Sequence, residues 1–457
     1  MKITVKAKDL APGLSLATRA VSTRSTIALL SGVLIEAAGK SGSVTLSATD
    51  METSVRVPVP EASADKTGSV VAPARLLSDV VRSLPEEATL TIEHEEKAGS
   101  INLSAETPSK GGGSSTASYA VRCFASSDFP KLPAFSEEGA MTVPAAVFAY
   151  LAEKTTKVAS KDATRPVLAA VLVESYEDAL RAVSTDSYRL CVAEAHAEGA
   201  KGAEGAEDGA RTALVTANAL REVARLAKAA GDDKKNQVAV SLSESHACFR
   251  VGGAFIAGRL VEGNFPNYAR LLPESFSGEL IVERVVLEDA LSRVRPFAGA
   301  PGERASTPIV LSYSPPSVSG TLGDALDLHA ESSEIGTARE RVPVVGAKGT
   351  CAEVGIEVSF KPDYLADGLR LHADSKEVVL KVNEPLKPAI LAPGSGGDGS
   401  RRTFYLIMPM RNPNVSSTER PAPKEEPAAE ERTGREEPPA GEPSETPAGK
   451  PVGQPVS

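Results

Sequence analysis

Apolar residues recur along this chain at two spacings, and the alternation between them predicts its organisation. In Ala217–Ala230, Leu220, Val223, Ala224 and Ala227 fall at i, i+3, i+4 and i+7, one face of an amphipathic helix. Arg221, Arg225 and Lys228 fall on the other side. Pro73–Leu84 repeats the arrangement: Leu76, Leu77, Val80, Val81 and Leu84 form a core face, and Arg75 and Arg82 project away from it. Asp9–Val21, a segment beginning near Pro144 (a residue suited to a first helical turn), Leu287–Arg295 and Pro362–Leu371 read as helices too. Lys154 and Lys157 decorate the Pro144 helix, and Arg293 and Arg295 the one in the last third. Period-two runs such as Gly32–Glu36, Ser43–Ser47, Val167–Glu174 and Leu180–Val183 predict strands between them.

These elements repeat in order. Helix, strands, helix, strands is read three times, at about 130–140 residues per copy, the mark of one supersecondary unit used repeatedly. "SATD" at 47–50 matches "STD" at 184–186, and "DFPKLP" at 128–133 matches "NFPNYARLLP" at 264–273. The expected fold class is α+β, with domains at 1–134, 140–273 and 279–411. Ser109–Ser118, Ala197–Ala210 and Pro393–Arg402 are rich in Gly and Ser or in Gly, Ala and charge, and read as loops within domains. Asn412–Ser457 holds 10 Pro and 9 Glu and no Leu, Ile, Phe or Met, too little apolar surface to offset ordering entropy, so disorder is expected there.

Charge refines this picture. The chain carries 50 Lys+Arg against 60 Asp+Glu, a net charge of -10. Basic helix faces recurring in an acidic protein place the acid on strands, loops and the tail. Lys and Arg also decorate ordinary solvated helix faces, so the pattern alone leaves both readings open. Aromatics at 4%, with no Trp, make the cores aliphatic. No apolar run approaches the roughly 20 residues of a membrane span, and MKITVKAKDL lacks the apolar stretch of a signal peptide; a cytoplasmic protein is expected. Cys123, Cys191, Cys248 and Cys351 form no CxxC pair, and five scattered His make no metal spacing, so no metal or cofactor is expected. Phosphate-loop, nucleophile-elbow and HExxH motifs do not occur. Asp50 and Asp186 hold equivalent places in two copies and read as bracing the same turn twice, not as a catalytic pair. A binding protein is favoured over an enzyme.

"LRAVSTDSYRLCV" (180–192), "GRLVEGNFPNYARLLP" (258–273) and "FYLIMPMR" (404–411) together closely resemble the bacterial DNA sliding clamp, the β subunit of DNA polymerase III holoenzyme. "MKITVKAKDL", "VAPARLL" and "DFPKL" are similar to its first domain, and the resemblance runs in order over 1–411. It implies a non-catalytic processivity factor. Two chains would form a homodimer closed head to tail as a ring, with helices lining the hole, sheets on the rim and duplex DNA threaded without sequence preference. It implies loading by a clamp loader, and tethering of the DNA polymerase III catalytic subunit and other proteins bearing clamp-binding motifs. No membrane partner is implied.

The resemblance also assigns residues. Its partner-peptide pocket, between the second and third domains, carries over to Leu168, Thr185, Tyr188, Arg189, Leu190, Pro273, Tyr364, Leu406, Met408, Pro409 and Met410. Arg24 and Arg75 match DNA-contact positions; Arg82, Lys154, Lys157, Arg221, Arg225 and Lys228 join them on helix-face periodicity alone. Tyr119 and Val121 would meet Phe297 of a second chain at the ring joint. Ser187-Tyr188 stands where the family often has Gly-His, residues 216–218 lack basic side chains usual there, and Ala28 replaces a usual proline. The tail extends past the family's usual end, and without bulky anchors it is not expected to plug the pocket. The alternative is a clamp-like peptide-binding scaffold that does not encircle DNA, motivated by the missing basic residues and the acidic tail.

Overall fold

The computed structural model describes residues 1–411 except 23–26, 39–41, 96–98, 110–112, 198–210, 232–234, 300–306, 316–323, 333 and 395–399. Arg24, most of the 197–210 insertion and the tail 412–457 therefore lie outside the described residues.

One unit is used three times. A strand enters a helix, three strands follow, and the pattern runs again. The helices are α1 (Ala7–Ala17), α2 (Ala74–Ser83), α3 (Ala145–Thr155), α4 (Ala217–Ala230), α5 (Arg284–Val294) and α6 (Pro362–Leu371). Each domain ties its halves together by exchange. The strand entering the first helix pairs with the strand leaving the second: Lys2–Lys6 with Thr89–His94, Met141–Pro144 with Gln237–Leu242, Gly278–Glu283 with Glu377–Val382. The strand entering the second helix pairs with the strand leaving the first: Gly32–Ala38 with Gly68–Pro73, Ala170–Tyr176 with Arg211–Thr216, Ile309–Tyr313 with Ile356–Phe360. All of these pairs are antiparallel, so the two helices of a domain come to lie against each other and against the sheets.

The periodicity reading of α4 holds in full: Leu220, Val223, Ala224 and Ala227 are buried and Arg221, Arg225 and Lys228 are exposed. In α2, Leu77 and Val81 are buried and Arg75 and Arg82 exposed, but Leu76 is 50% exposed. One residue is about 100° of helical turn, so Leu76 cannot share the face that Leu77 and Val81 define. Two other expectations need correction. Ser114–Ser118 belongs to a long strand, Gly113–Arg122, whose small β-compatible side chains pair with Ser100–Ser109. Residues Pro166–Ala169 form one helical turn started by the proline, and the strand begins only at Ala170.

The sheets do not stop at domain boundaries. Phe255–Gly258 of the second domain pairs antiparallel with Thr53–Arg56 of the first. Arg401–Ile407 of the third pairs with Arg189–Ala195 of the second. Side chains add to the second seam: the Lys154 ammonium is held by the Leu371 carbonyl and by Asp374, 3.1 Å away, and the Tyr150 hydroxyl lies 2.5 Å from that of Thr403. At the first seam Arg19 reaches Glu222 at 3.5 Å.

Helix α6 approaches its sheet closely enough to exclude a side chain. A Cβ on Gly368 would sit 2.6 Å from the ring of Tyr405 and 2.7 Å from Leu391. Tyr405 is fully buried, and its hydroxyl donates to the Tyr364 carbonyl at 2.8 Å. Gly368→Ala is expected to destabilise the third domain by about 1–3 kcal/mol through overpacking, read as a lower thermal midpoint.

Candidate partner pocket and nucleic-acid face

Two equivalent turns build the seams. After Thr49, Asp50 accepts bonds on one carboxylate oxygen from the N–H groups of Glu52 (3.0 Å) and Thr53 (2.6 Å), and the Thr49 hydroxyl accepts from Met51 N–H at 3.0 Å. After Thr185, Asp186 accepts from Tyr188 (3.0 Å) and Arg189 (3.1 Å), and the Thr185 hydroxyl accepts from Ser187 N–H at 3.1 Å. The two aspartates therefore brace the same turn twice. Each turn forces its third residue to positive φ, 76° at Met51 and 81° at Ser187. Side chains with a Cβ pay for that conformation. Arg165 steadies the second turn through the Ser187 hydroxyl at 3.2 Å while bonding Asp162 at 3.1 Å.

This turn delivers Tyr188 and Arg189 to the seam between the second and third domains. Arg189 is 8% exposed and spans it: 2.9 Å to Asp186 on its own turn and 2.6 Å to Asp367 on α6. Its guanidinium lies 4.6 Å from the Tyr364 ring, and Tyr188 stacks on the same ring with centroids 6.3 Å apart. Burial pushes the Tyr364 hydroxyl up to about 12, so the ring stays neutral. The Arg189–Asp186 pair is largely buried on both sides, and removing one partner from such a pair typically costs about 3–5 kcal/mol. A cavity of about 570 Å³ opens here, lined by Tyr188, Arg189, Tyr364, Asp367, Arg165 and Arg295 among others. Sequence reasoning did not find Asp367, although it stands one helical turn after Tyr364.

The apolar side of the seam is a cluster of Val183, Leu190, Val192, Ile390, Ala392 and Leu406, with Leu172, Phe265, Tyr268, Leu272 and Phe276 packed on it. Leu190 and Leu406 are 2% and 3% exposed, and Thr185 is buried too, so these positions lie in the seam's interior and not on the cavity's lining, which takes only Tyr188, Arg189 and Tyr364 of the residues carried over. Tyr188 (59%) and Met408 (40%) are the exposed rim, with Pro409 and Met410 half-buried beside them. Met408 N–H donates to the Tyr188 carbonyl at 2.9 Å and Met410 N–H to the Ser359 carbonyl at 2.7 Å. Leu168 is half-buried in the Pro166–Ala169 turn, and its carbonyl accepts from Ser160 at 2.8 Å. Pro273 is half-buried next to Leu272. The aromatic residues of "NFPNYARLLP" were the available signal for the cluster's outer layer.

The helix cations divide. Arg75 and Lys157 are exposed; Arg82 is exposed and donates to the Ser15 hydroxyl at 3.2 Å. Arg221 donates to the Thr156 carbonyl, Arg225 pairs with the buried Glu222 at 2.6 Å, and Lys228 pairs with Glu153 at 2.8 Å. Lys154 does not belong on a free basic face: its side chain is 12% exposed and bound across the seam. Phe297 is half-buried beside the third domain's core, and Tyr119 and Val121 point inward from Gly113–Arg122, Val121 being 5% exposed. Burial pushes the Cys191 thiol up to about 12 and those of Cys248 and Cys351 to about 11, so these are packing residues rather than nucleophiles.

Three like domains joined edge to edge, with a rimmed groove at one seam, have the build of a clamp subunit. Family models for the DNA polymerase III beta subunit match throughout: the N-terminal domain over 1–133, the central domain over 142–267 and the C-terminal domain over 269–411. The chain belongs to this family, the non-catalytic processivity subunit of DNA polymerase III. It is 31% identical over 418 residues to the beta sliding clamp of Streptomyces coelicolor and 29% identical over 419 residues to that of a Synechocystis species. Each alignment covers 90% of this chain and 99% of the relative. The crystal structure of the Bacillus subtilis DNA polymerase sliding clamp superposes with a TM-score of 0.74 at 23% identity, covering 90% of this chain and 99% of that one. No helix among the described residues is long and apolar enough to cross a membrane.

Because Ser187 holds a conformation that glycine adopts freely, Ser187→Gly is expected to be about 1 kcal/mol more stable than Ser187→Ala. Paired thermal melts of the two variants check it.

Proposed function

We propose that two copies of this chain close head to tail into a ring around duplex DNA. The ring tethers the DNA polymerase III catalytic subunit and other proteins carrying clamp-binding motifs. The observation that carries this reading is the pattern of seam strands. At both seams the last strand of one domain pairs with the fourth strand of the domain before it. Two strands occupy the same positions without such a partner among the described residues: Gly113–Arg122 at the sheet edge of the first domain, and residues 336–343 in the third. Unpaired edges of this length invite another strand. Pairing each with the other's counterpart on a second copy repeats the seam geometry, and a heterologous contact of this kind closes into a ring. Tyr119, Val121 and Phe297 would lie at that joint.

The helices would then face the hole, where Arg75, Arg82, Lys157, Arg221, Arg225 and Lys228 offer sequence-independent contacts to phosphates. Arg225 and Lys228 are partly neutralised by Glu222 and Glu153, which suits a loose, sliding hold. The groove rimmed by Tyr188, Tyr364 and Met408 would take partner peptides, and methionine adapts to several of them. Loading would fall to a separate ATP-driven clamp loader in the cytoplasm.

Retention on a nicked circular plasmid after clamp-loader treatment tests the ring. Retention on the circle and rapid loss after linearisation are expected. No retention, with a loader active on another clamp, would favour the scaffold that binds peptides without encircling DNA. Phe297→Asp is expected to shift the dimer to monomer in light scattering; a dimer that persists would remove Phe297 from the joint.

A further inference from the structure

The seam between the first and second domains repeats the groove's geometry with different side chains. Arg259 N–H donates to the Glu52 carbonyl at 2.8 Å, as Met408 N–H does to that of Tyr188 at 2.9 Å. Helix α4, entered from Thr216, stands where α6, entered from Lys361, stands at the other seam. Glu52 thus takes the place of Tyr188, Arg259 that of Met408 and Ala219 that of Tyr364. A cavity of about 500 Å³ is open between Glu52, Thr216–Asn218, the run from Arg259 to Glu262, and a wall of Ala163, Pro166 and Ala169.

We propose that this cavity is a second peptide-docking groove, taking an extended segment that carries an apolar side chain next to a lysine or arginine. Pro166, Ala169, Leu260 and Val261 supply the apolar contact. Glu52 and Glu262 are both exposed on its lining against the single guanidinium of Arg259, which favours a cation on the occupant. Thr216 and the first residues of α4 line the cavity, and Thr216 makes no capping bond to the helix. The first-turn N–H groups of a helix have no partner within it. N–H groups in this state are suited to the carbonyl oxygens of an extended main chain. The two cavities adjoin along the chain, since Arg165 lines the first and Pro166 the second. The inference uses the first groove only as a geometric counterpart and does not depend on what binds there.

A random heptapeptide phage library panned on the full-length protein supplies the probes. Enriched sequences, synthesised with a fluorescein label, are titrated by fluorescence polarisation against the parent chain, Asn218→Trp, Glu262→Lys and Tyr364→Ala. One class bearing an apolar–basic pair is expected. It should lose at least tenfold in affinity to Asn218→Trp, which fills the cavity from an exposed position, and several-fold to Glu262→Lys, which reverses a charge on the lining. It should bind Tyr364→Ala unchanged. Glu262→Lys is a surface substitution and should melt with the parent, so its weaker binding would not be misfolding. The proposal is overturned if no such class is enriched, or if every enriched peptide ignores Asn218→Trp. Peptides that ignore Tyr364→Ala as well as Asn218→Trp would count separately against the first groove.

Discussion

Main-chain pairing across the seams is the constraint from which the rest follows. A strand at a domain boundary must satisfy its outward N–H and C=O groups with water, with a cover, or with another strand. Here the strands meet, over four residues at the first seam and seven at the second. That choice joins the three domains through two sheets, of eight and twelve strands, that cross the domain boundaries. It also fixes where the helices go. Each sheet has one face against the α1–α2, α3–α4 or α5–α6 pair, so joining the sheets edge to edge sets the helix pairs side by side on a common face.

The same constraint creates the grooves. Where two strands are joined by backbone bonds, the turns at their ends are brought together, and the Thr-Asp turn is one of them. Its carboxylate is consumed by backbone N–H groups, which leaves the residues after it free to vary. At the second seam those residues are Tyr188 and Arg189. Arg189 is nearly buried and bonded to both domains, so it ties the groove to the seam. The geometry of the pocket is therefore tied to the relative placement of the two domains rather than to a mobile loop.

Local periodicity carried most of the fold. Helix α4 was legible to the residue because its apolar face is small and regular, and the three-fold repeat was legible because turn motifs recur at matching places. What failed was non-local. Arg189 was singled out, but its partner Asp367 lies 178 positions away, and nothing in either neighbourhood signals the pair. Lys154 has the spacing of an exposed helix cation, yet the carbonyl that holds it belongs to another domain, 217 positions on. Leu76 was misplaced for a local reason: in a two-leucine run only one residue can occupy the centre of an apolar stripe. Ser109–Ser118 was misread because glycine and serine mark a turn strongly while short Ser/Thr/Ala strands leave little apolar alternation to read.

The two seams show how one backbone plan can carry two chemistries. Their turns, capping aspartates and cross-strand bonds coincide, so the differences reside in side chains that project from equivalent positions. At one seam Tyr188 and Tyr364 line the cavity with stacked aromatic surface and Met408 is exposed beside them; at the other Glu52, Arg259 and Glu262 line it with charge. The two cavities are of similar size, about 570 and 500 Å³, so the contrast lies in the chemistry of the lining and not in the space left open.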